Sequence, residues 1–266
     1  FYTLVRKEVR NMIDTGNTSF VIICAALVCL MTPGLAFFYG GLVGRKNVIT
    51  IMMQSFISMG VVTIIWFVIG FSLAFGPDIH GIIGSLKYAF LDCVGMEPDA
   101  VYGDTVPFLT FFSYQQMFAI ITPALITGAF ADRVNFKSYL IFLVIWSLLV
   151  YVPLAHWVWG GGFLAQLGAA DFAGGIVVHA SAGLAALASV FVVGKRRDMS
   201  ASAVEPHNIT YVALGTGLLW FGWFGFNAGG AMGATGLAST AFVNTDITAS
   251  VAMVTWLVIS WKRDKN

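Results

Sequence analysis

Residues 171–183 read DFAGGIVVHASAG, an acid and a histidine separated by small residues inside an apolar run. Asp171 stands where a helix opens, and two roles fit it. As an N-cap it accepts the free N–H groups of the first turn and suits the positive end of the helix dipole. As a shielded, ionised carboxylate it favours a small cation nearby. His179 also admits two readings: a buried imidazole bonded to a backbone carbonyl, or a neutral imidazole lining a pore and exchanging a proton. Ionisable groups within apolar spans usually face a cavity or the bundle interior. Helical rise sets His179 about 12 Å beyond Asp171. Trp159, Phe118 and Phe226 bring aromatic faces, which bind small cations with about 2 kcal/mol or more once desolvated. Taken singly, Trp159 reads as an interfacial belt residue and the two phenylalanines as lipid- or core-facing rings. No cofactor or metal is expected, since Cys24, Cys29 and Cys93 form no CxxC pair. Enzyme chemistry is not expected either. Ser181 is two residues from His179, hence on another helical face, and no acid or glycine-rich nucleotide loop supports it.

The elements that must carry these residues follow from composition. Of 266 residues, 58% are hydrophobic and 10% charged, against about 25% charged in soluble domains. The mean hydropathy is +0.85. The expected class is therefore an all-α polytopic membrane protein, a transmembrane helix bundle. A net charge of +1 gives no reason for a nucleic-acid partner. Seven stretches are long enough to span a bilayer: roughly 20–41, 48–75, 106–131, 138–159, 172–194, 209–230 and 241–261. The alternation of a membrane barrel is absent. The chain starts at Phe1, which suggests processing or truncation, and FYTLVRKEVRNMIDTGNTS has no signal-peptide core.

Basic residues set the expected orientation. Arg45, Lys46, Arg133, Lys137, Lys195, Arg196, Arg197, Lys262, Arg263 and Lys265 fall on one side; Arg6, Lys7, Arg10 and Lys87 fall on the other. The positive-inside rule puts the N-terminus outside and the C-terminus in the cytoplasm of a cell-membrane protein. Residues 1–19 form an outer segment, 20–261 the transmembrane domain and 262–266 a cytoplasmic end. The loop 76–105 carries Asp78, Asp92, Glu97, Asp99 and Asp104, an acidic outer face read mainly as solvated. Trp159 at the end of span 4, Asp171 at the start of span 5 and Gly230 at the end of span 6 then converge on that face. Small residues such as Gly174, Gly175, Ala180, Ala182 and Gly183 let span 5 pack closely in lipid. Span 1 ends LAFFYGGL and span 6 ends WFGFNAGG, helices of opposite direction that suggest an inverted repeat. The first half covers 20–194, and 209–261 begins a second half that stops early.

The stretches LMTPGLAFFYGGLVGRKNV, ITGAFADR, AHWVWGGGFLA, DFAGGIVVHASAGLAALASVFVVGKRR and GWFGFNAGG together resemble the ammonium transporter/Rhesus family, and the DFAGG form leans to its ammonium transporter branch. The resemblance implies an eleven-helix bundle, of which seven spans are present, assembled as a homotrimer with a pore in each subunit. It implies an outer ammonium site at Phe118 and Trp159, a stacked phenyl gate of Phe118 and Phe226, Asp171 as the acid shaping the site, and His179 as the first of two pore histidines. The implied substrates are ammonium and ammonia, with methylammonium as analogue. The implied partners are a PII-type signal protein or a fused signalling domain. Ammonium would be recruited and deprotonated, and ammonia would cross, because a hydrated ion pays heavily to enter an apolar pore.

Three departures stand out. No histidine follows His207, so the second pore histidine lies outside this sequence. Gly230 stands where the family commonly has a serine; losing that acceptor weakens cation binding by about 1 kcal/mol, and Gly230→Ser is expected to restore it. Asp246 sits a turn inside span 7, either reaching headgroups or serving as an extra cation ligand near the end of span 6. A second function, an ammonium sensor signalling to cytoplasmic domains, uses the same bundle. A retinal receptor is excluded, because no lysine lies mid-span 7 for a Schiff base.

Overall fold

A computed structural model describes residues 12–196 and 205–264. Among the described residues, seven helical spans are long and apolar enough to cross a membrane. They are span 1 (Thr15–Leu42), span 2 (Arg45–Phe75), span 3 (Phe108–Phe130), span 4 (Phe136–Gln166), span 5 (Gly175–Val193), span 6 (Ile209–Ala231) and span 7 (Gly236–Arg263). Helix starts follow local capping chemistry. The Asp14 carboxylate accepts from Asn17 N–H at 2.7 Å, and the side chains of Asn135 and Asn208 accept from Ser138 and Tyr211 N–H. Of the residues used to orient the chain, Arg6, Lys7, Arg10, Arg197 and Lys265 lie outside the described residues.

The bundle is built on two contacts. Spans 1 and 6 run antiparallel along a line of glycines. A Cβ on Gly215 would stand 2.4 Å from the Phe38 nitrogen, one on Gly222 2.7 Å from the Leu27 carbonyl, and one on Gly225 2.8 Å from the Cys24 carbonyl. With no hydrophobic drive between helices in lipid, such close backbone approach is what holds them together. Span 3 is the most enclosed helix, whereas span 7 is almost wholly exposed. Around the start of span 3 lies an aromatic core of Trp66, Phe71, Phe75, Tyr102, Phe108 and Phe111, whose rings meet edge-on, tilted or stacked at 4.9–6.2 Å.

Two features depart from the expected plan. The segment between spans 2 and 3 is folded, with one small hairpin pairing Asp78–Ile79 with Ile83–Gly84 and another pairing Pro98–Asp99 with Gly103–Pro107. Span 7 begins at Gly236, upstream of its expected start. Asp246 is therefore roughly 15 Å along the helix, exposed on its flank and not among the residues that line the vestibule. The cation-ligand role expected for Asp246 near the end of span 6 therefore finds no support in its placement. Spans 2, 4 and 5 each contain a π-helical turn, at Trp66–Gly70, Ser147–Tyr151 and Gly175–Ala180. Such turns concentrate at functional sites. The last of them carries His179.

Candidate functional site

Asp171 is spent on backbone. Its Oδ1 accepts from the N–H groups of Gly174 and Gly175 at 2.6 and 2.8 Å, and its Oδ2 from Ile176 and Val177 at 2.8 and 2.9 Å. Four bonds use the lone-pair directions of both oxygens, so Asp171 caps the first turn from upstream of the helix, whose N-cap position is Gly174. Gly174 makes the turn possible, with φ +94° and Val178 Cγ2 only 2.7 Å from where its Cβ would stand. Helix therefore starts at Gly175, not at Asp171. The eight-residue helical rise expected between Asp171 and His179 is therefore not realised.

The backbone carbonyl of Asp171 accepts from Trp159 Nε1 at 2.9 Å. One residue thus sets both the start of span 5 and the tilt of the indole that ends span 4. Trp159 meets Phe118 edge-on at 6.1 Å. Phe118 and Phe226 lie 4.5 Å apart, tilted by 54° rather than stacked. Phe226 in turn lies over His179 at 5.6 Å and 26°, and His179 stacks on Trp223 at 5.7 Å and 14°. Phe118 and Phe226 are 2% and 1% exposed, so both rings are buried below the cavity that Phe118 lines. His179 is nonetheless exposed, covered on one side by Trp223 and Phe226 of span 6.

Above the rings sits a cavity of about 250 Å³, whose lining includes Phe118, Trp159, Asp171 and Gly230. Spans 2, 3, 4 and 6 and the turn that opens span 5 meet there, bringing together Trp159, Asp171 and Gly230 from three separate places in the sequence. Gly230 corrects one part of the sequence reading. A Cβ at this position would stand 2.6 Å from the Phe172 carbonyl oxygen. A serine therefore does not fit without moving backbone, and an acceptor already occupies that corner.

Two further residues line the cavity that the sequence reading passed over. Gln115 is 8% exposed, and its Oε1 has no hydrogen-bond partner among the described residues. Tyr114 is fully enclosed and donates its hydroxyl to the Phe226 carbonyl at 2.8 Å and the Gly225 carbonyl at 3.2 Å. It also packs edge-on against Phe118 at 4.8 Å. The signal for both was spacing, since Tyr114 and Gln115 sit one helical turn from Phe118 and share its face. Tyr102 also lines the cavity; burial, followed by Asp99, pushes its hydroxyl above the ordinary tyrosine range, so it stays neutral.

A family model described as Ammonium Transporter Family matches residues 19–266. The chain belongs to that family. Among its relatives, an ammonium transporter of Bacillus subtilis is 51% identical over 92% of this chain and 60% of the relative's length. Mep2 of Candida albicans superposes with a TM-score of 0.88 at 35% identity, over 97% of this chain and 57% of that one. A structure described as Sensor Amt Protein matches with a TM-score of 0.85 at 30% identity, over 94% of this chain and 63% of its own. The chain thus spans about 60% of the length of the curated relatives it matches. As an ammonium transporter family member it is a multi-pass membrane protein, and its seven spans carry the family's helical architecture.

Proposed function

We propose that the protein moves ammonium across the membrane by admitting it at the vestibule and passing ammonia beyond the two phenyl rings. One observation carries this reading: the unbroken line of rings from Trp159 through Phe118 and Phe226 to His179. A cation resting in the vestibule meets the faces of Trp159 and Phe118, and cation–π attraction grows as water is stripped away. Ammonium differs from potassium in its directed N–H donors. The free Gln115 Oε1 and the Phe172 carbonyl are the acceptors that supply this distinction here, in place of a hydroxyl at Gly230. Asp171, its lone pairs committed, contributes negative potential and holds the geometry. Past the vestibule two buried phenyl rings offer nothing to a hydrated ion, so the neutral amine crosses and the proton leaves separately. His179, stacked beneath Phe226, is the first polar group it meets.

We further propose that the vestibule faces outward, with the C-terminus cytoplasmic. Arg45, Lys46, Arg133, Lys137, Lys195, Arg196, Lys262 and Arg263 gather at the opposite ends of the helices. Residues 20–194 form the first half of an inverted repeat and 209–261 open the second, a division supported by the antiparallel glycine contact of spans 1 and 6. A homotrimer, with a PII-type protein or a fused signalling domain as partner, completes the proposal.

The test is methylammonium uptake by proteoliposomes of the complete natural protein. Saturable uptake, with Trp159→Leu loosening discrimination against potassium and His179→Asp disturbing amine passage, is the expected result. A second reading, an ammonium sensor, is favoured by the likeness to Sensor Amt Protein. Tight methylammonium binding without flux would decide for it.

A further inference from the structure

His156 belongs to span 4, one turn before Trp159, and is completely buried. Its Nδ1 lies 2.9 Å from the Ala74 carbonyl at the end of span 2, and its Nε2 lies 2.9 Å from Asp78 Oδ1 in the first outer hairpin. A carbonyl only accepts, and so does an ionised carboxylate. Both ring nitrogens must then donate, which only an imidazolium does.

We infer that His156 is held as an imidazolium between Ala74 and Asp78, and that this charge pair, buried at the imidazole and open to solvent at the carboxylate, is the positioning clamp of the Trp159 vestibule. The inference rests on the proposed transport reading for its consequence, though not for the clamp itself. The connections are local and continuous. The His156 carbonyl accepts from Gly160 and Gly162 N–H at 3.0 Å each, closing span 4 around Trp159. The Ala74 carbonyl that holds Nδ1 would stand 2.0 Å from a Cβ at Gly160, so the clamp is seated against the residue next to Trp159 and glycine is required there. Both Asp78 oxygens also accept from Gly81 N–H at 2.9 and 3.0 Å. The Gly81 carbonyl accepts from Phe163 N–H at 2.9 Å, and the Ile82 carbonyl from Trp157 Nε1 at 2.7 Å. The hairpin 78–84 is thereby fastened across the end of span 4.

Asp78 is held below the usual carboxylate range, chiefly by its hydrogen bond to His156, against the opposing effect of burial. The titratable groups around the pair are Asp78 and His80 from the first hairpin and Tyr102 from the second. Span 2 contributes the Ala74 carbonyl, and span 4 brings Trp157 and Gly160, all neutral. Removing the Asp78 charge strands a buried cation, the costly half of a broken pair. His156 then sheds a proton, one nitrogen loses its bond and the turn bearing Trp159 loosens.

The test uses the complete natural protein. Isotope-labelled histidine NMR at neutral pH should show one histidine with both nitrogens protonated, absent in His156→Gln and converted to a singly protonated ring in Asp78→Asn. In proteoliposomes, Asp78→Asn should raise the methylammonium KM several-fold with the maximal rate kept, and Asp78→Glu should restore part of it. The variant should also lose the rise in KM that the wild type shows in acid as Asp78 is neutralised. A neutral His156 in the wild type would overturn the inference, as would an unchanged KM and pH profile in Asp78→Asn. Absence of methylammonium uptake by the wild type would sink the transport reading instead, and the NMR result would then decide the clamp alone.

Discussion

Asp171 shows how a single side chain fixes the geometry of a cavity through backbone bonds alone. Its four accepted N–H bonds predict that Asp171→Asn, which keeps one accepting oxygen and loses the other, removes two charge-assisted bonds. The expected loss is about 3 kcal/mol of stability, read as a lowered melting temperature in detergent, together with weaker methylammonium binding. Gln115→Leu should leave the fold intact, because its Oε1 is unpaired, and weaken methylammonium affinity by about 1 kcal/mol. Equal affinity would remove Gln115 from recognition. Gly230→Ser, expected from sequence to tighten binding, should instead weaken it, because the new Cβ drives into the Phe172 carbonyl. Competition binding with methylammonium separates the two outcomes. The identities of Phe118, Trp159, Asp171, Phe226 and His179 were legible because their chemistry is unusual in an apolar chain and matches a family pattern. Gln115, Tyr114 and His156 were not, since a polar residue in a span declares its role only through what it faces.

At the scale of the element, the contact between spans 1 and 6 depends on absent side chains. Gly222→Ala places a Cβ within 2.7 Å of the Leu27 carbonyl and still closer to Met31 Cγ. Overpacking of this kind destabilises by about 1–3 kcal/mol. Gly217 lies in the same helix with nothing within 4 Å of its Cβ position. Gly217→Ala is therefore the control, and helix propensity makes it neutral or stabilising by up to about 1 kcal/mol. Thermal unfolding of the two variants checks the contrast; equal behaviour would mean the helices are not held by glycine contact. The spans themselves were legible from hydropathy, because their length is imposed by the bilayer. The π turns were not, and neither was the true start of span 5. Those depend on Asp171 capping and on Gly174 at positive φ.

At the scale of the whole molecule, the vestibule exists only because four spans and a folded outer segment meet. Asp78, read from sequence as part of a solvated acidic face, ties that segment to span 4. Because its folded-state pKa is lowered, its contribution is fully present above the ordinary carboxylate range. It is lost only as pH falls through the depressed value. The protection factor of Gly81 N–H should accordingly stay high at neutral pH and fall in acid. Early exposure at neutral pH would show that the hairpin is not fastened. What the sequence determined by itself was the solvent, the number of spans and the family, since these follow from summed hydropathy and from local motifs. Only the tertiary structure decided which polar groups are already satisfied and which remain free. A hydrogen bond needs its donor and acceptor within about 3 Å, and for His156 and Asp78 or Tyr114 and Phe226 that distance is closed by separate spans rather than by neighbours in the chain.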